Sequence, residues 1–173
     1  AEGNDLSAAP LDEHVRSGQE AEVWQQLEQS HWIQDGEAQA ARVIYTFTDP
    51  NCPYCERLYE LSRPWVEAGE VQLRHIMVGI LRDDSPAKAA ALLGAPDPAA
   101  ALASHQHSNS GIAGSAQPRE VEAQVYTNNQ LFEGLGLMAT PTTYYRNAQG
   151  RLEKVEGAPD PARLEAMMGS SAP

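Results

Sequence analysis

The sequence predicts an α/β fold in which a β-α-β unit is followed by a helical insert and a β-β-α unit, with a linker helix in front. Three observations indicate this order. Two apolar runs, from Val43 to Thr48 and from Val71 to Val78, flank a helical pattern. Alanine-rich segments with helix-start signals fill the middle of the chain. Two short strand patterns and a final helical pattern close it.

The composition is that of an ordinary folded domain. Hydrophobic residues make up 42% of the 173 residues and charged residues 21%, which excludes a disordered chain. No apolar run approaches the roughly 20 residues that span a bilayer. No basic start precedes an apolar stretch, so we expect any signal peptide to have been removed or never to have existed.

The net charge of −12 argues against nucleic acid as a partner, because an acidic surface repels a phosphate backbone. Solubility explains such a surface, and selection of a substrate is the alternative interpretation.

The N-terminal segment is predicted to be a lead followed by a helix. Residues 1–19 begin with small and polar residues and lack a periodic apolar pattern, so we expect them to be flexible. Residues 20–32 place Val23 and Leu27 at helical spacing behind an acidic start. We expect this linker helix to end near Trp32, ahead of an Asp-Gly pair.

The β-α-β unit follows. Its first strand stops at Asp49-Pro50, and the next helix begins at Cys52, with Leu58 and Trp65 on one face. The second strand lies within residues 70–81, where apolar residues dominate.

The helical middle carries its own start and stop signals. Ser85 and Asp97 each precede a proline and are predicted N-caps. A helix is predicted over residues 119–126, and Thr127 is predicted to cap a further helix that ends at Gly136.

The C-terminal part reads as a hairpin and a helix. "TTYYR" and "RLEKVEG" flank the turn "NAQG", and Asp160 with Pro161 begins the last helix. The predicted organisation is a lead and linker helix over residues 1–36 and a catalytic domain over 37–173. The helical insert of that domain lies at about 83–117.

The chain has two cysteines, Cys52 and Cys55. Their spacing suits a metal-binding site, a structural disulfide or a reactive dithiol. A site with four thiolates is impossible within one chain. His105 and His107 are two residues apart in a polar loop and do not match zinc spacing, so we expect no metal and no cofactor. A disulfide across so small a loop would remove little entropy from the unfolded chain, which argues against a purely structural disulfide.

A reactive dithiol explains the position of Cys52 best. Cys52 follows a strand and a short turn and opens a helix, where unpaired N–H groups and the helix dipole lower a thiol pKa. Cys55 lies one turn deeper and should be more covered. We therefore expect Cys52 to be the exposed nucleophile and Cys55 the resolving thiol.

Three residues near this motif have two interpretations each. Tyr54 contacts substrate or is a surface aromatic residue. Asp49 holds a proton near the thiols or, as Asp-Pro sequences often do, caps the turn. Pro141 begins a strand or belongs to the site.

Four stretches, "TFTDPNCPYC", "RPWVEAGEVQLRHIMVGIL", "SPAKAAALLGAPDPA" and "ATPTTYY", together resemble the DsbC/DsbG family of periplasmic thiol:disulfide interchange proteins. The resemblance extends from about Trp24 to Met168. It implies a thioredoxin fold and a periplasmic enzyme that reduces or isomerises misoxidised cysteines, including sulfenic acids. It also implies cysteine-containing periplasmic proteins as partners and the membrane reductase DsbD as electron donor.

The resemblance also assigns roles to residues. Cys52 and Cys55 would be the catalytic pair. Thr140 and a cis-Pro141 would face them and bind substrate through the backbone. We also expect Pro53 and Tyr54, between the cysteines, to contact substrate.

One departure concerns assembly, because family members are V-shaped homodimers joined by an N-terminal domain. A remnant of that side is present here, so we expect a monomeric catalytic fragment. Chaperone activity, which depends on the cleft of the dimer, stays open.

Other functions are possible for the same motif. Cys-Pro-Tyr-Cys also occurs in glutaredoxins, but their Gly-Gly pair is missing and the helical insert does not fit them. A DsbA-like oxidase is the nearer alternative among enzymes. A holdase that binds unfolded chains, with an incidental dithiol, is the alternative outside them.

Overall fold

The structure is a computed structural model that describes residues 2–108 and 111–173. Six helices and five strands are found in the described residues. They are α1 (Glu2–Gln29), β1 (Trp32–Asp35), β2 (Arg42–Thr48), α2 (Pro53–Glu67), β3 (Val71–Met77), α3 (Ser85–Leu93), α4 (Pro98–Gln106), α5 (Arg119–Gly134), β4 (Thr142–Arg146), β5 (Leu152–Glu156) and α6 (Pro161–Met168).

One five-stranded sheet with the order β1-β3-β2-β4-β5 organises the chain. Strands β2 and β3 run parallel, and every other neighbouring pair is antiparallel. Strand β2 is central, and its Ile44 and Phe47 are fully buried on opposite faces. The turn after β2 therefore begins at the middle of the sheet.

Helices cover both faces of the sheet. Helices α2 and α6 pack on one face around Ile44 and Trp65, and α1 and α5 pack on the other around Phe47. The insert helices α3 and α4 form a third cluster with Tyr59 of α2 and Met77 of β3. Helix α2 is thus fixed from two sides, by the sheet and by the insert.

The N-terminal helix corrects two predictions. Residues 2–19 were expected to be flexible, but α1 is continuous from Glu2 to Gln29. The C-terminal third of this helix, residues 19–29, is rich in glutamate and glutamine, which have good helix propensity, and the helix extends from there back through the part without an apolar stripe. The helix also ends before Trp32, because Trp32–Asp35 forms an edge strand paired with β3. The predicted domain boundary at residue 36 stays a prediction, although β1 lies in the same sheet.

Two helix starts in the middle of the chain also differ from expectation. Asp84, not Ser85, occupies the N-cap of α3, because the Ser85 hydroxyl is engaged elsewhere. Thr127 does not begin a new helix. Its hydroxyl donates to the carbonyl of Ala123 four residues back, and α5 continues through it.

Two other caps are confirmed. Asp97 and Asp160 accept hydrogen bonds from backbone N–H groups at the starts of α4 and α6. In the part of the chain that the structure describes, no helix is both long and apolar enough to cross a bilayer.

Candidate active site

Cys52 lies in the turn that joins the central strand β2 to helix α2. It is the N-cap residue of α2, with extended backbone angles (φ −99°, ψ 113°), and Pro53 is the first helical residue. Its N–H donates to the carbonyl oxygen of Asp49 at 3.1 Å, which closes the turn. The sulfur of Cys52 therefore stands at a helix N-terminus, as the sequence predicted.

The side chain of Asp49 holds this turn in place. Its Oδ1 accepts from the N–H of Asn51 and from the hydroxyl of Ser85, both at 2.9 Å. Its Oδ2 accepts from the N–H groups of Ile80 and Leu81 at 2.8 and 2.9 Å. The interpretation of Asp49 as the residue that caps the turn is confirmed, and Asp49 also ties the turn to the segment after β3.

The sulfur of Cys52 has two backbone partners. It accepts from the N–H of Cys55 at 3.3 Å, and in its protonated form it donates to the carbonyl oxygen of Thr140 at 3.2 Å. The Thr140–Pro141 peptide bond is cis, and Pro141 directly precedes β4. Thus Cys52, Cys55, Thr140 and Pro141 come together at one end of the sheet.

The two thiols have opposite electrostatics. A hydrogen bond from the Cys55 thiol is the largest influence on Cys52. With the Thr140 hydroxyl and the N–H groups of Cys55 and Tyr54, it outweighs burial and lowers the pKa of Cys52 from 9.0 to about 6. The pKa of Cys55 is raised well above its usual value. Burial is the largest cause, and the hydrogen bond to Cys52 and the charge of Cys52 add to it. At neutral pH Cys52 is therefore mostly ionised, and Cys55 stays protonated.

One expectation about the thiols is wrong. Cys52 was expected to be exposed, but its exposed fraction is 7%, against 3% for Cys55. The loop that carries Thr140 and Pro141 covers the sulfur. The two cysteines therefore differ in ionisation much more than in accessibility.

Exposed apolar side chains occur in the segments that form the site. Tyr54 is 62% exposed and Met138, two residues before Thr140, is 91% exposed. Ile80 and Leu81, whose N–H groups bind Asp49, are also exposed. Sequence reasoning singled out Tyr54 but missed the other three, although apolar residues in predicted loops could have indicated them.

His105 also lies closer to the site than expected. The sequence placed it in a polar loop, but it lies in the last turn of α4 and is buried against the turn that carries Cys52. It lines a cavity of about 160 Å³ together with Cys52 and Lys88. Among the residues that the structure describes, no group of histidine, cysteine or carboxylate side chains is arranged to hold a metal ion.

Comparisons with known proteins agree with this geometry. Residues 30–172 match the family model of a thioredoxin-like domain. The chain is 49% identical to the thiol:disulfide interchange protein DsbG of Pseudomonas aeruginosa over 174 residues, which cover 98% of the chain and 67% of that protein. It is 36% identical to DsbG of Escherichia coli, covering 97% of the chain and 69% of that protein.

A solved structure shows the same fold. The catalytic domain of Proteus mirabilis ScsC superposes with a TM-score of 0.72 at 21% identity, covering 86% of this chain and 94% of that one. The overall fold is therefore shared with a protein of distant sequence.

Proposed function

The chain belongs to the DsbG family of thiol:disulfide interchange proteins, which makes it a thiol:disulfide oxidoreductase, and we propose that it reduces and isomerises misoxidised cysteines through Cys52 and Cys55. The observation that carries the proposal is the pair of opposite pKa shifts. One thiol is ionised and ready to attack, and its neighbour is protonated and held back.

The first step is attack by the Cys52 thiolate on an oxidised sulfur of the substrate. With a disulfide, one substrate thiolate leaves, and a mixed disulfide with Cys52 forms. With a sulfenic acid, the hydroxyl leaves as water after taking up a proton, and the same mixed disulfide results.

Cys55 performs the second step. Once Cys52 is bonded to substrate, it carries no negative charge, and one cause of the raised pKa of Cys55 is removed. Cys55 then loses its proton and attacks the sulfur of Cys52. The substrate leaves as a thiolate, and Cys52 and Cys55 form a disulfide. In isomerisation, a second substrate thiol attacks the mixed disulfide instead, and the pair stays reduced.

The ionisation of Cys52 supports reduction and isomerisation over oxidation. Stabilising the thiolate stabilises the reduced protein and makes the disulfide more oxidising. The pKa of Cys52, about 6, is closer to the value of about 7 for thioredoxin than to about 3.5 for the strong oxidant DsbA. The oxidised pair must then receive electrons, and we propose DsbD as the donor.

Substrate binding is assigned to the surface around the thiol. Thr140 and Pro141 offer a backbone edge to a substrate segment in extended conformation. Pro53 and Tyr54, on the helix start, would contact the same segment. The exposed side chains of Tyr54 and Met138 favour substrates with apolar residues near the oxidised cysteine, as in partly unfolded proteins.

We propose the periplasm as the location and a monomeric state for these 173 residues. The chain spans 67% of the length of the Pseudomonas aeruginosa relative. We expect light scattering to give a mass near 18.8 kDa. A stable dimer would show that the described part of the chain carries an interface of its own.

Reactivation of a protein with scrambled disulfides tests the proposed function. We expect the reduced protein to restore activity, and a variant with both cysteines replaced by serine to be inactive. A redox titration against glutathione separates the two enzyme alternatives. A reduction potential of about −120 mV, the value for DsbA, would identify an oxidase. A holdase would suppress aggregation equally well in the double-serine variant.

A further inference from the structure

His105 connects the helical insert to the active-site turn. It lies in the last turn of α4, and its exposed fraction is 8%. Its Nε2 is 2.7 Å from the carbonyl oxygen of Pro50, and its Nδ1 is 2.8 Å from the N–H of Ile112. Each ring nitrogen thus reaches a backbone group of a different segment.

The two contacts fix the state of the imidazole ring. The N–H of Ile112 is a donor, so Nδ1 must accept and carries no hydrogen. The carbonyl of Pro50 is an acceptor, so Nε2 must carry the hydrogen and donate it. The two contacts therefore assign Nδ1 as the acceptor and Nε2 as the donor, and turning the ring over would break both bonds.

Gly111 allows the loop to close on this ring. It has a left-handed φ of +70°, and a Cβ atom at this position would lie 2.7 Å from Cε1 of His105. A side chain at residue 111 would therefore push the ring away from Pro50, or the loop away from the ring.

The contact with Pro50 reaches the nucleophile through two residues of backbone. Pro50 is the second residue of the turn, between Asp49, whose carbonyl accepts from the N–H of Cys52, and Asn51. The Asp49 side chain ties the turn to the segment after β3 and to α3. His105 provides a separate tie, to α4 and the loop after it.

We propose that His105 is a positioning residue, which holds the Asp49-Pro50-Asn51 turn and thereby the sulfur of Cys52 at the start of α2. The inference rests on the proposed role of Cys52 as the nucleophile. His105 does not touch substrate or the reacting sulfur in this role. It acts through the backbone of the turn.

The consequence for the thiolate follows from its short contacts. The sulfur of Cys52 is 3.3 Å from the N–H of Cys55, and a small movement of the turn lengthens this hydrogen bond. A thiolate with a weaker donor is less stable, so Cys52 ionises at higher pH. The reduced form then loses stability relative to the disulfide, and the reduction potential becomes more negative.

Four single variants test the inference. His105→Ala removes both bonds, whereas His105→Gln keeps one N–H donor and one oxygen acceptor. Gly111→Ala displaces the ring without removing it. The control is His107→Ala, in the same helix end, because His107 is exposed and pairs with Glu60 instead of the turn. The measurements are the thiolate absorbance of the reduced protein against pH, the glutathione redox equilibrium and thermal unfolding.

We expect His105→Ala and Gly111→Ala to raise the midpoint for Cys52 by about half a unit or more, a change of about threefold in the ionisation constant. The reduction potentials of these two variants should be more negative than that of the wild type. His105→Gln should show less than half of the shift of His105→Ala, and His107→Ala should match the wild type.

A His105→Ala variant that unfolds more easily but keeps the wild-type midpoint and potential would overturn the inference and leave a structural role. If His105→Ala does not fold, Gly111→Ala decides by the same two readouts. Failure of the proposed function would be seen separately, as a wild-type Cys52 that ionises like a free cysteine.

Discussion

The sulfur of Cys52 lies 3.2 Å from the carbonyl oxygen of Thr140, although the two residues are 88 positions apart in the chain. Antiparallel pairing of β2 with β4, which sets Phe47 opposite Thr142, brings the two loops together. The thiol thus sits beside the backbone of the segment that is proposed to hold the substrate. In the proposed mechanism, the attacking sulfur and the substrate-binding backbone are therefore within one hydrogen-bond distance of each other.

The first prediction concerns the ionisation of Cys52. We expect the thiolate absorbance of the reduced protein to rise with a midpoint near pH 6, and Cys52→Ser to lack this transition. Because the pKa falls from 9.0 on folding, the thiolate contributes stability that is fully present above about pH 9 and is lost as the pH falls through about 6. A midpoint at the free-cysteine value of about 8.5 would rule out an activated nucleophile.

The second prediction concerns the hydroxyl group of Thr140. It is buried without a hydrogen-bond partner in the described residues, yet it helps to lower the pKa of Cys52. We expect Thr140→Val to raise the midpoint for Cys52 by less than about one unit. Below the pKa of Cys52, where the thiol is protonated in both proteins, the variant should not lose stability, because a buried polar group without a partner costs about 1–3 kcal/mol.

Thr142→Val is the matched control for this change. The hydroxyl of Thr142 donates to the carbonyl of Ala139 at 2.6 Å, so its loss should reduce the free energy of unfolding by about 1 kcal/mol. It should leave the titration of Cys52 unchanged. An equal shift of the midpoint in both variants would mean that loop packing, and not the hydroxyl of Thr140, sets the pKa.

Much of this site could be predicted because its signals are local. The spacing of Cys52 and Cys55 after a strand defines a helix N-terminus, and helix caps such as Asp97 and Asp160 act within three residues. The cis bond before Pro141 came from the family resemblance. The element order from β2 to α6 was correct except where α5 continued through its predicted break.

The parts that sequence missed depend on contacts between distant segments. Strand β1 has four residues and is stabilised by its pairing with β3. A segment this short has no periodic apolar pattern that could predict it. The burial of Cys52 results from a loop far along the chain. His105 reaches Pro50 across 55 residues, and its spacing to His107 says nothing of this contact.

The third prediction concerns a largely buried ion network between α2 and the sheet. Asp35 of β1 binds Arg63 of α2 and His75 of β3. Burial would raise the pKa of Asp35, but hydrogen bonds from His75 and Arg63, together with their charges, lower it from 3.8 to about 2. Asp35→Asn leaves the charge of Arg63 unpaired, and we expect it to reduce the free energy of unfolding by about 3 kcal/mol.

The pH dependence provides a second check on Asp35. Its pKa is lowered on folding, so its contribution is present above about pH 4 and is lost as the pH falls through about 2. We expect urea unfolding between about pH 4 and pH 2 to show that the free energy of unfolding falls more steeply with pH in the wild type than in Asp35→Asn. Glu13→Gln is the control, because its carboxylate pairs with Arg16 and, at 3.8 Å, with Arg151 at the surface, where ion pairs are worth little. Equal effects of the two substitutions would contradict the prediction.

The last prediction separates the roles of the two cysteines. We expect the mixed disulfide to form at Cys52, whose pKa is lowered, and to be resolved by Cys55, whose pKa is raised. Cys55→Ser should therefore leave the first step intact and accumulate substrates bonded to Cys52. Cys52→Ser should trap almost none, because the pKa of the remaining thiol is raised by burial. Non-reducing electrophoresis after acid quenching, with expression in an oxidising compartment, measures both. Equal trapping by Cys52→Ser and Cys55→Ser would reverse the assignment of nucleophile and resolving thiol.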